Sequence, residues 1–375
     1  MSHLNWLEIS KAALLHNAKQ FKRVLKKAKL MAVVKSNAYG HGSFAASTTL
    51  EPAVDLFGTA SGSEALALRE FGIKKPIVVL NYYALEQVNS LIAKNIALVI
   101  YDLKQVQAIS KEAKKLKKKA SVHIKVGTGL SRLGVLAKDA VEFTKNVRKL
   151  PNITVEGLFS HFAASEDDPE YTLIQLKHFQ AIIEDLEKNG IQIPIKHIAC
   201  TASSLAFPQS QFDMVRIGLG IYGMQSYKSI RSEVQKHNPG FNLKPALTWK
   251  TEILAVKNLP KGAYIGYGRS YQTKRPTKLA ILPVGYFEGY DRGFSNNSEV
   301  LVGGQRCPIR GRIYMNLMSV DVTDVKIAKA GDTAVLIGKQ GKEEITADEL
   351  AKRINTINYE IVTRINLIIP RIINV

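Results

Sequence analysis

Lys35 closes a short apolar run, residues 30–34, and opens a polar, glycine-containing turn in the stretch KLMAVVKSNAYGHGS. A brief apolar run bounded by turn signals reads as a buried strand of a parallel sheet. The carboxyl ends of such strands are where α/β proteins bind ligands. A lysine placed there and desolvated loses its proton readily and can condense with a carbonyl to form a Schiff base. The plainer reading is a strand-end lysine that carries its charge into solvent. Other side chains of the same kind are Tyr39 on the same turn, His161 in FSHFAAS, Arg216 in DMVRIGLGIYG and Tyr267 in IGYGRSY. Together they offer a phenol, an imidazole, a permanent cation and a second phenol. Taken singly, Tyr39 could be a packing aromatic, His161 a satisfied core histidine and Arg216 half of an ion pair.

The elements that would position these groups follow an alternating pattern. Strand-like runs LMAVVK, LFGTA, PIVVLN, ALVIYD, VHIKVG, TVEGLFSHF, IKHIACT and DMVRIGL are separated by amphipathic segments such as residues 61–72 and 171–190, each ending at glycine. Eight strands, each with room for a following helix, predict a closed parallel (β/α)8 (TIM) barrel. After about residue 238 the texture becomes β-rich, with glycine and proline punctuating short runs. The expected division is a barrel over residues 1–238 and a mainly β-strand domain over 239–375. Within the latter, TADELAKRIN predicts a helix capped by Thr346, and YEIVTRI a closing strand.

Composition narrows the function. The chain is 46% hydrophobic and 22% charged, as globular proteins are, and its two cysteines, Cys200 and Cys307, stand in no metal-ligand spacing. No signal-like amino terminus and no apolar run near the ~18 residues of a membrane span is visible, so a cytoplasmic protein with no membrane partner is expected. The net charge of +20 invites a nucleic-acid reading. The densest cluster, KEAKKLKKKA, argues against it, because it reads as the exposed end of a crossover helix and carries no interleaved aromatics.

Nine motifs in order, MAVVKSNAYGHG, GTGLSRLGV, FSHFAASED, DMVRIGLGIYG, LKPALTWKTEI, GYGRSY, LPVGYFEGYDRGF, GRIYMN and YEIVTRI, resemble the alanine racemases, the fold-type III enzymes that use pyridoxal 5'-phosphate (PLP). The resemblance implies that Lys35 carries PLP and that Tyr39, Thr201, Tyr359 and the amides of Gly218 and Leu219 hold its phosphate. It implies that Arg216, where many PLP enzymes keep a carboxylate, leaves the pyridine nitrogen unprotonated, which weakens the electron sink and limits transamination. Lys35 and Tyr267 become the two bases, with His161 and Arg216 tuning the tyrosine. Arg132 binds the cofactor's phenolic oxygen and the substrate carboxylate, and Met315 offers that carboxylate a backbone amide. The resemblance also implies a head-to-tail homodimer whose sites take Tyr267 from the partner, and alanine as the small-molecule substrate, with D-alanine supplied to peptidoglycan. Alternatives are a broad-specificity amino-acid racemase, a barrel decarboxylase, which would need a carboxylate in place of Arg216, and a non-catalytic PLP-binding protein. The chain departs from the family pattern at Gly127, Cys200 and Asn316. Lys125 aligns with a lysine that some members carry as a carbamate.

Overall fold

The computed structural model describes residues 3–25, 27–225 and 229–374. Its contacts divide the chain into two compact units. Residues 13–38 and 46–244 form one; the amino-terminal segment to Ala12, residues 39–45 and residues 245–375 form the other. The strands to Ile217 are β1 (Asn5–Ser10), β2 (Lys29–Val33), β3 (Leu56–Ser61), β4 (Ile77–Tyr82), β5 (Ala97–Ile100), β6 (Ala120–Gly127), β7 (Val135–Leu136), β8 (Ile153–Phe159), β9 (Ile195–His197) and β10 (Met214–Ile217).

In the first unit eight parallel strands run in the order β10-β2-β3-β4-β5-β6-β8-β9, with the two-residue β7 beside β6. Two backbone bonds, Asp213 N–H to Lys196 O (3.1 Å) and Arg216 N–H to Ala199 O (3.0 Å), bring the ends of the order together into a nearly closed barrel. A parallel sheet with helices outside and side chains inside has no solvent face, so its strands are apolar throughout. Residues 30–34 and 97–100 are all buried, each large side chain contributing roughly 1.5–3 kcal/mol. The helix Leu103–Lys115 shows how the outer layer is built. Val106, Ile109 and Ala113 face inward at helical spacing, and the Asp102 carboxylate caps the first turn by accepting from Gln105 N–H at 3.0 Å. Lys111, Lys114 and Lys115 are exposed on its outer face and last turn, which is why the chain's densest basic cluster has no buried role.

The second unit is mostly β. Its main sheet runs Gln305–Pro308, Glu299–Val302, Thr333–Gln340, Leu247–Glu252, β1, Arg371–Asn374, and β1 pairs antiparallel to Leu247–Glu252 and parallel to Arg371–Asn374. Trp249, Tyr290 and Phe294 pack edge-on and tilted in its core. Gly40 belongs here because a Cβ at that position would lie 2.0 Å from Val362 O, and its φ of +84° is open to glycine. Thr346 caps the helix Ala347–Arg353, its hydroxyl accepting from Glu349 N–H at 3.1 Å. The segment YEIVTRI is not a strand: it lies in the helix Asn358–Thr363 and its end, and the closing strand is Arg371–Asn374. Asn358, Ile361, Val362 and Ile365 are buried, and that 3.6-residue spacing overrides the β-branched composition that suggested a strand.

Candidate active site

The turn after Lys35 is left-handed. Ser36, Asn37, Ala38 and Tyr39 all have φ between 52° and 54°, a region that costs residues bearing a Cβ about 1–2 kcal/mol each. Asn tolerates it best; the other three must be held. The Glu64 carboxylate holds the first of them, accepting from Ser36 N–H (2.6 Å) with one oxygen and from Ala60 N–H (2.8 Å) and Ser61 N–H (3.3 Å) with the other. Glu64 also completes a capping box with Ser61 at the start of the helix Gly62–Glu70. One carboxylate therefore fixes both a helix entry and the turn that presents Lys35.

Arg216, on β10, is buried, and its guanidinium donates to four groups: His197 Nδ1 (2.8 Å), Ser160 O (2.7 Å), Ile198 O (2.9 Å) and His161 Nδ1 (3.1 Å). None is a carboxylate. Arginine can only donate, so both imidazoles accept through Nδ1 and carry their proton on Nε2. His197 Nε2 then donates to His123 Nδ1 at 3.0 Å, and His123 turns its own Nε2–H toward Glu156 Oε2, 3.9 Å away. Burial, reinforced by the Arg216 charge, pushes His123 down to about 4 and His161 and His197 well below the usual histidine range. His123 is thus neutral near pH 7, and its approach to Glu156 is a dipolar contact rather than an ion pair. Gly157 makes room for this chain, since a Cβ there would meet His123 Nδ1 at 2.0 Å.

The same pocket gathers cations. Phe159 stacks on His197 (4.8 Å, 5°) and lies 5.4 Å from both Lys125 Nζ and the Arg216 guanidinium. Lys125 is only 3% exposed; burial and then Arg132, Arg216 and Lys35 push it down to about 8. Lys35 is lowered by burial, Arg132 and Arg216, against which Glu64 acts. Arg216 falls to about 10 through burial and Arg132, opposed by Cys200. Positive charges crowded out of water make each amine easier to deprotonate, the condition a lysine needs to act as nucleophile or base.

Near Arg216 two helical starts converge. Thr201 begins the helix Thr201–Ala206, Gly218 precedes the turn Leu219–Tyr222, and Gly220 N–H points to Thr201 Oγ1 at 3.4 Å. A Cβ on Gly220 would strike Thr201 Cγ2 at 2.6 Å, so the turn can approach this closely only without one. In the β unit, Tyr39 and Tyr359 face each other with ring centroids 6.0 Å apart. Tyr267 is in the same unit, 71% exposed and edge-on to Tyr314, and Met315 is exposed nearby in sequence. The barrel unit therefore brings together Lys35, Arg132, His161, Thr201, Arg216, Gly218 and Leu219; Tyr39, Tyr267, Met315 and Tyr359 belong to the other.

Glu64, His123, His197 and Glu156 stand outside the nine sequence motifs. Ser61 and Glu64 form a visible capping-box pattern, and His123 and Lys125, two apart on one strand, share its inward face. Of the departures, Gly127 is not required by space, since a Cβ there meets only Val135 O at an ordinary 3.6 Å. Cys200 lies 3.2 Å from the Ser165 hydroxyl, and the Asn316 amide donates to Glu288 at 2.9 Å.

The family profile "Alanine racemase, N-terminal domain" matches residues 9–226, and "Alanine racemase, C-terminal domain" matches residues 246–373. The alanine racemase of Methanococcus maripaludis is 40% identical over 99% of both chains. The crystal structure of alanine racemase from Streptomyces lavendulae superposes with a TM-score of 0.93 at 31% identity, covering 100% of this chain and 98% of that one. A histidine racemase from Leuconostoc mesenteroides superposes with a TM-score of 0.91 at 28% identity, covering 100% and 98%.

Proposed function

The chain belongs to the alanine racemase family of isomerases, and from that premise we propose that it interconverts L- and D-alanine using PLP held by Lys35, with Lys35 and Tyr267 as the two bases. The observation that carries this reading is the pairing of a lysine made easy to deprotonate with a buried arginine whose four acceptors are all neutral. The residues fit the cofactor. Lys35 offers an amine for its aldehyde, Thr201 and the amides of Gly218 and Leu219 offer donors for its phosphate, and Arg216 offers the ring nitrogen a donor that cannot protonate it. When bound, PLP supplies a conjugated ring that stabilises the charge left at the substrate α-carbon after its proton departs.

The chain's own groups do the rest. Lys35 removes or returns a proton on one face. Tyr267, contributed by a second copy in a homodimer, does so on the other, because racemisation needs a base on each side. A phenol of ordinary pKa about 10 needs help. His161 can give it: with Nδ1 engaged by Arg216, its Nε2–H is free in direction to donate to a phenolate, and its neutral state prevents it from delivering a full proton. Arg132 orients the substrate carboxylate, aided by the Met315 amide of the second copy, and the resemblance assigns Tyr39 and Tyr359 to the cofactor phosphate. Lys125, lowered to about 8, keeps enough neutral amine to add CO2, releasing a proton, and the resulting carbamate would hold Arg132. A carbonyl carbon signal from 13C-bicarbonate that vanishes in Lys125→Ala tests that step. The product would feed peptidoglycan synthesis in the cytoplasm; among the described residues, no helix is long and apolar enough to cross a membrane.

The decisive assay follows L-alanine by chiral chromatography in D2O with added PLP. Formation of D-alanine carrying deuterium at Cα, with borohydride fixing the cofactor on Lys35, is the expected result; no exchange, or cofactor on another lysine, sinks the assignment. Lys35→Ala and Tyr267→Ala homodimers should be nearly inactive, and mixing them should return activity, with roughly a quarter of sites intact after random exchange. Subunit exchange without recovery would place the tyrosine in its own chain's site or outside the mechanism. Likeness to a histidine racemase makes substrate breadth the second question, and rates on alanine, serine, lysine and histidine answer it.

A further inference from the structure

The barrel has a second cavity, at the opposite end from Lys35. It has a volume of about 810 Å3 and is lined by the first residues of several strands: Lys29 of β2, Leu56 of β3, Ile77 of β4, Ala97 of β5 and Ile195 of β9. Lys35 follows the carboxyl end of β2, so roughly 20 Å of extended chain separates the two openings. The volume falls within the roughly 300–1,000 Å3 of small-molecule sites.

Its floor is apolar and its edge is cationic. Lys29, Arg69, Lys74 and Lys94 line it against two carboxylates, Asp55 and Glu156. Asp55 is already satisfied by Lys22 at 2.6 Å and by Leu30 N–H at 2.7 Å. Glu156 accepts from Ser121 Oγ at 2.6 Å. The cations are less engaged. Among the described residues, Lys29, Arg69 and Lys74 form no ion pair, and Lys94 has only a 3.8 Å approach to Glu70. Arg69 donates through one nitrogen, Nη1, to the carbonyls of Ile73 and Lys75, which fixes the guanidinium in place; Glu51, held by the amides of Lys74 and Lys75, acts on its charge from a distance without an ion pair. A concave site that holds several cations from different elements around an apolar floor focuses positive potential.

We propose that this cavity binds a small organic or inorganic polyanion carrying at least two carboxylate or phosphoryl groups. Lys29 at the start of β2 and Lys74 in the loop before β4 close on the charged groups, Arg69 supplies a fixed positive charge, and the strand-start aliphatics receive the ligand's body. Phosphate chemistry at Thr201, Gly218 and Leu219 belongs to the other end of the barrel and is held apart in the test by using protein already loaded with PLP.

Isothermal titration at low ionic strength, with citrate and then pyrophosphate as probes, measures the site. Saturable one-to-one binding of either probe is expected, weakening about tenfold or more in Lys29→Ser/Lys74→Ser and falling with added salt. Both lysines are exposed, so the double variant should keep the parent's melting temperature without ligand. The control, Lys111→Ser/Lys114→Ser, removes the same charge from the outer face of the helix Leu103–Lys115 and should bind as the parent does. Equal affinity in the cavity variant, equal loss in the control variant, or no binding of either probe beyond that of sodium chloride at matched ionic strength overturns the proposal.

Discussion

Two buried or half-buried arginines in this molecule are held in opposite ways. Arg306, in the β unit, is surrounded by carboxylates: Glu343 at 2.9 Å, Glu349 through two bonds at 2.7 and 3.0 Å, and Glu299 at 3.3 Å, with Arg353 sharing the last two. Its hydrogen bonds to Glu349 raise its pKa. Arg216, in the barrel, has imidazoles and carbonyls only, and burial lowers it to about 10. A bidentate, charge-compensated arginine gives its donors to structure. An arginine bonded only to neutral acceptors keeps its full charge in a low-dielectric site, where that charge governs the protonation of everything near it. The first arrangement holds strands and a helix together; the second costs stability and sets chemistry.

The largest effect should come from replacing the barrel arginine by a carboxylate. Arg216→Glu should lower kcat about a thousandfold, the scale of removing a central electrostatic group, with keto acid appearing as a side product of the alanine reaction. Arg216→Lys, which keeps the charge and loses the fork, should fall between. Circular dichroism and retained cofactor absorbance check that the fold survives. A variant with unchanged kcat and no keto acid would mean that Arg216 does not touch the reacting system.

Acid should separate the two regions next. His123, His161 and His197 have folded pKa values below the ordinary 6.5, so the unfolded chain binds protons that the native barrel does not. Their stabilising effect is complete above about pH 6.5 and is lost as pH falls toward the folded values; for His123 alone, the drop to about 4 corresponds to roughly 3 kcal/mol. Glu349 is also lowered, from 4.5, so its contribution is present above that value and lost only as pH falls below it. Urea midpoints measured between pH 7 and 5 should fall in the parent and fall less in His123→Gln. Equal slopes would show that this imidazole is not held neutral.

Smaller still is the cost of breaking the carboxylate network. Arg306→Ala should destabilise by about 2 kcal/mol, less than a fully buried network would lose because its members are partly exposed. Racemase activity per folded molecule should stay within twofold. The smallest effect belongs to the end of the histidine chain: Glu156→Gln should change kcat less than threefold, since the 3.9 Å approach to His123 is dipolar. A loss comparable to that of Arg216→Glu would show that the chain carries charge to the barrel's far end.

Much of this could be read directly from the order of residues. The eight barrel strands stand out because strands buried on both faces must be apolar throughout; Lys35 stands out at the end of an apolar run, and Arg216 and Tyr267 through the motifs that resemble the alanine racemases. The segment YEIVTRI misled because its β-branched residues also satisfy a helical period, and propensity alone does not choose between them. Glu64 and His123 left faint local signals in a capping box and a period of two. Among Arg216's partners the resemblance pairs only His161 with it; Ser160, His197 and Ile198 leave no signal. Ser160, His161, His197 and Ile198 reach it from other barrel strands and the loop after β8, and only the closure of the ring makes them neighbours.

The sequence by itself determined the alternation that makes a barrel and the chemical identity of the groups at its strand ends. These follow from local preference and burial period, which act over a few residues. The tertiary structure decided what those groups are. It set which imidazole nitrogen carries a proton, that Lys35 and Lys125 lose theirs easily, that the left-handed turn after Lys35 is anchored at Ser36 by Glu64, and that a cationic cavity opens at the far end. Tautomers, pKa values and strained turns depend on desolvation and on charges brought together from distant segments, and neither exists until the chain has folded.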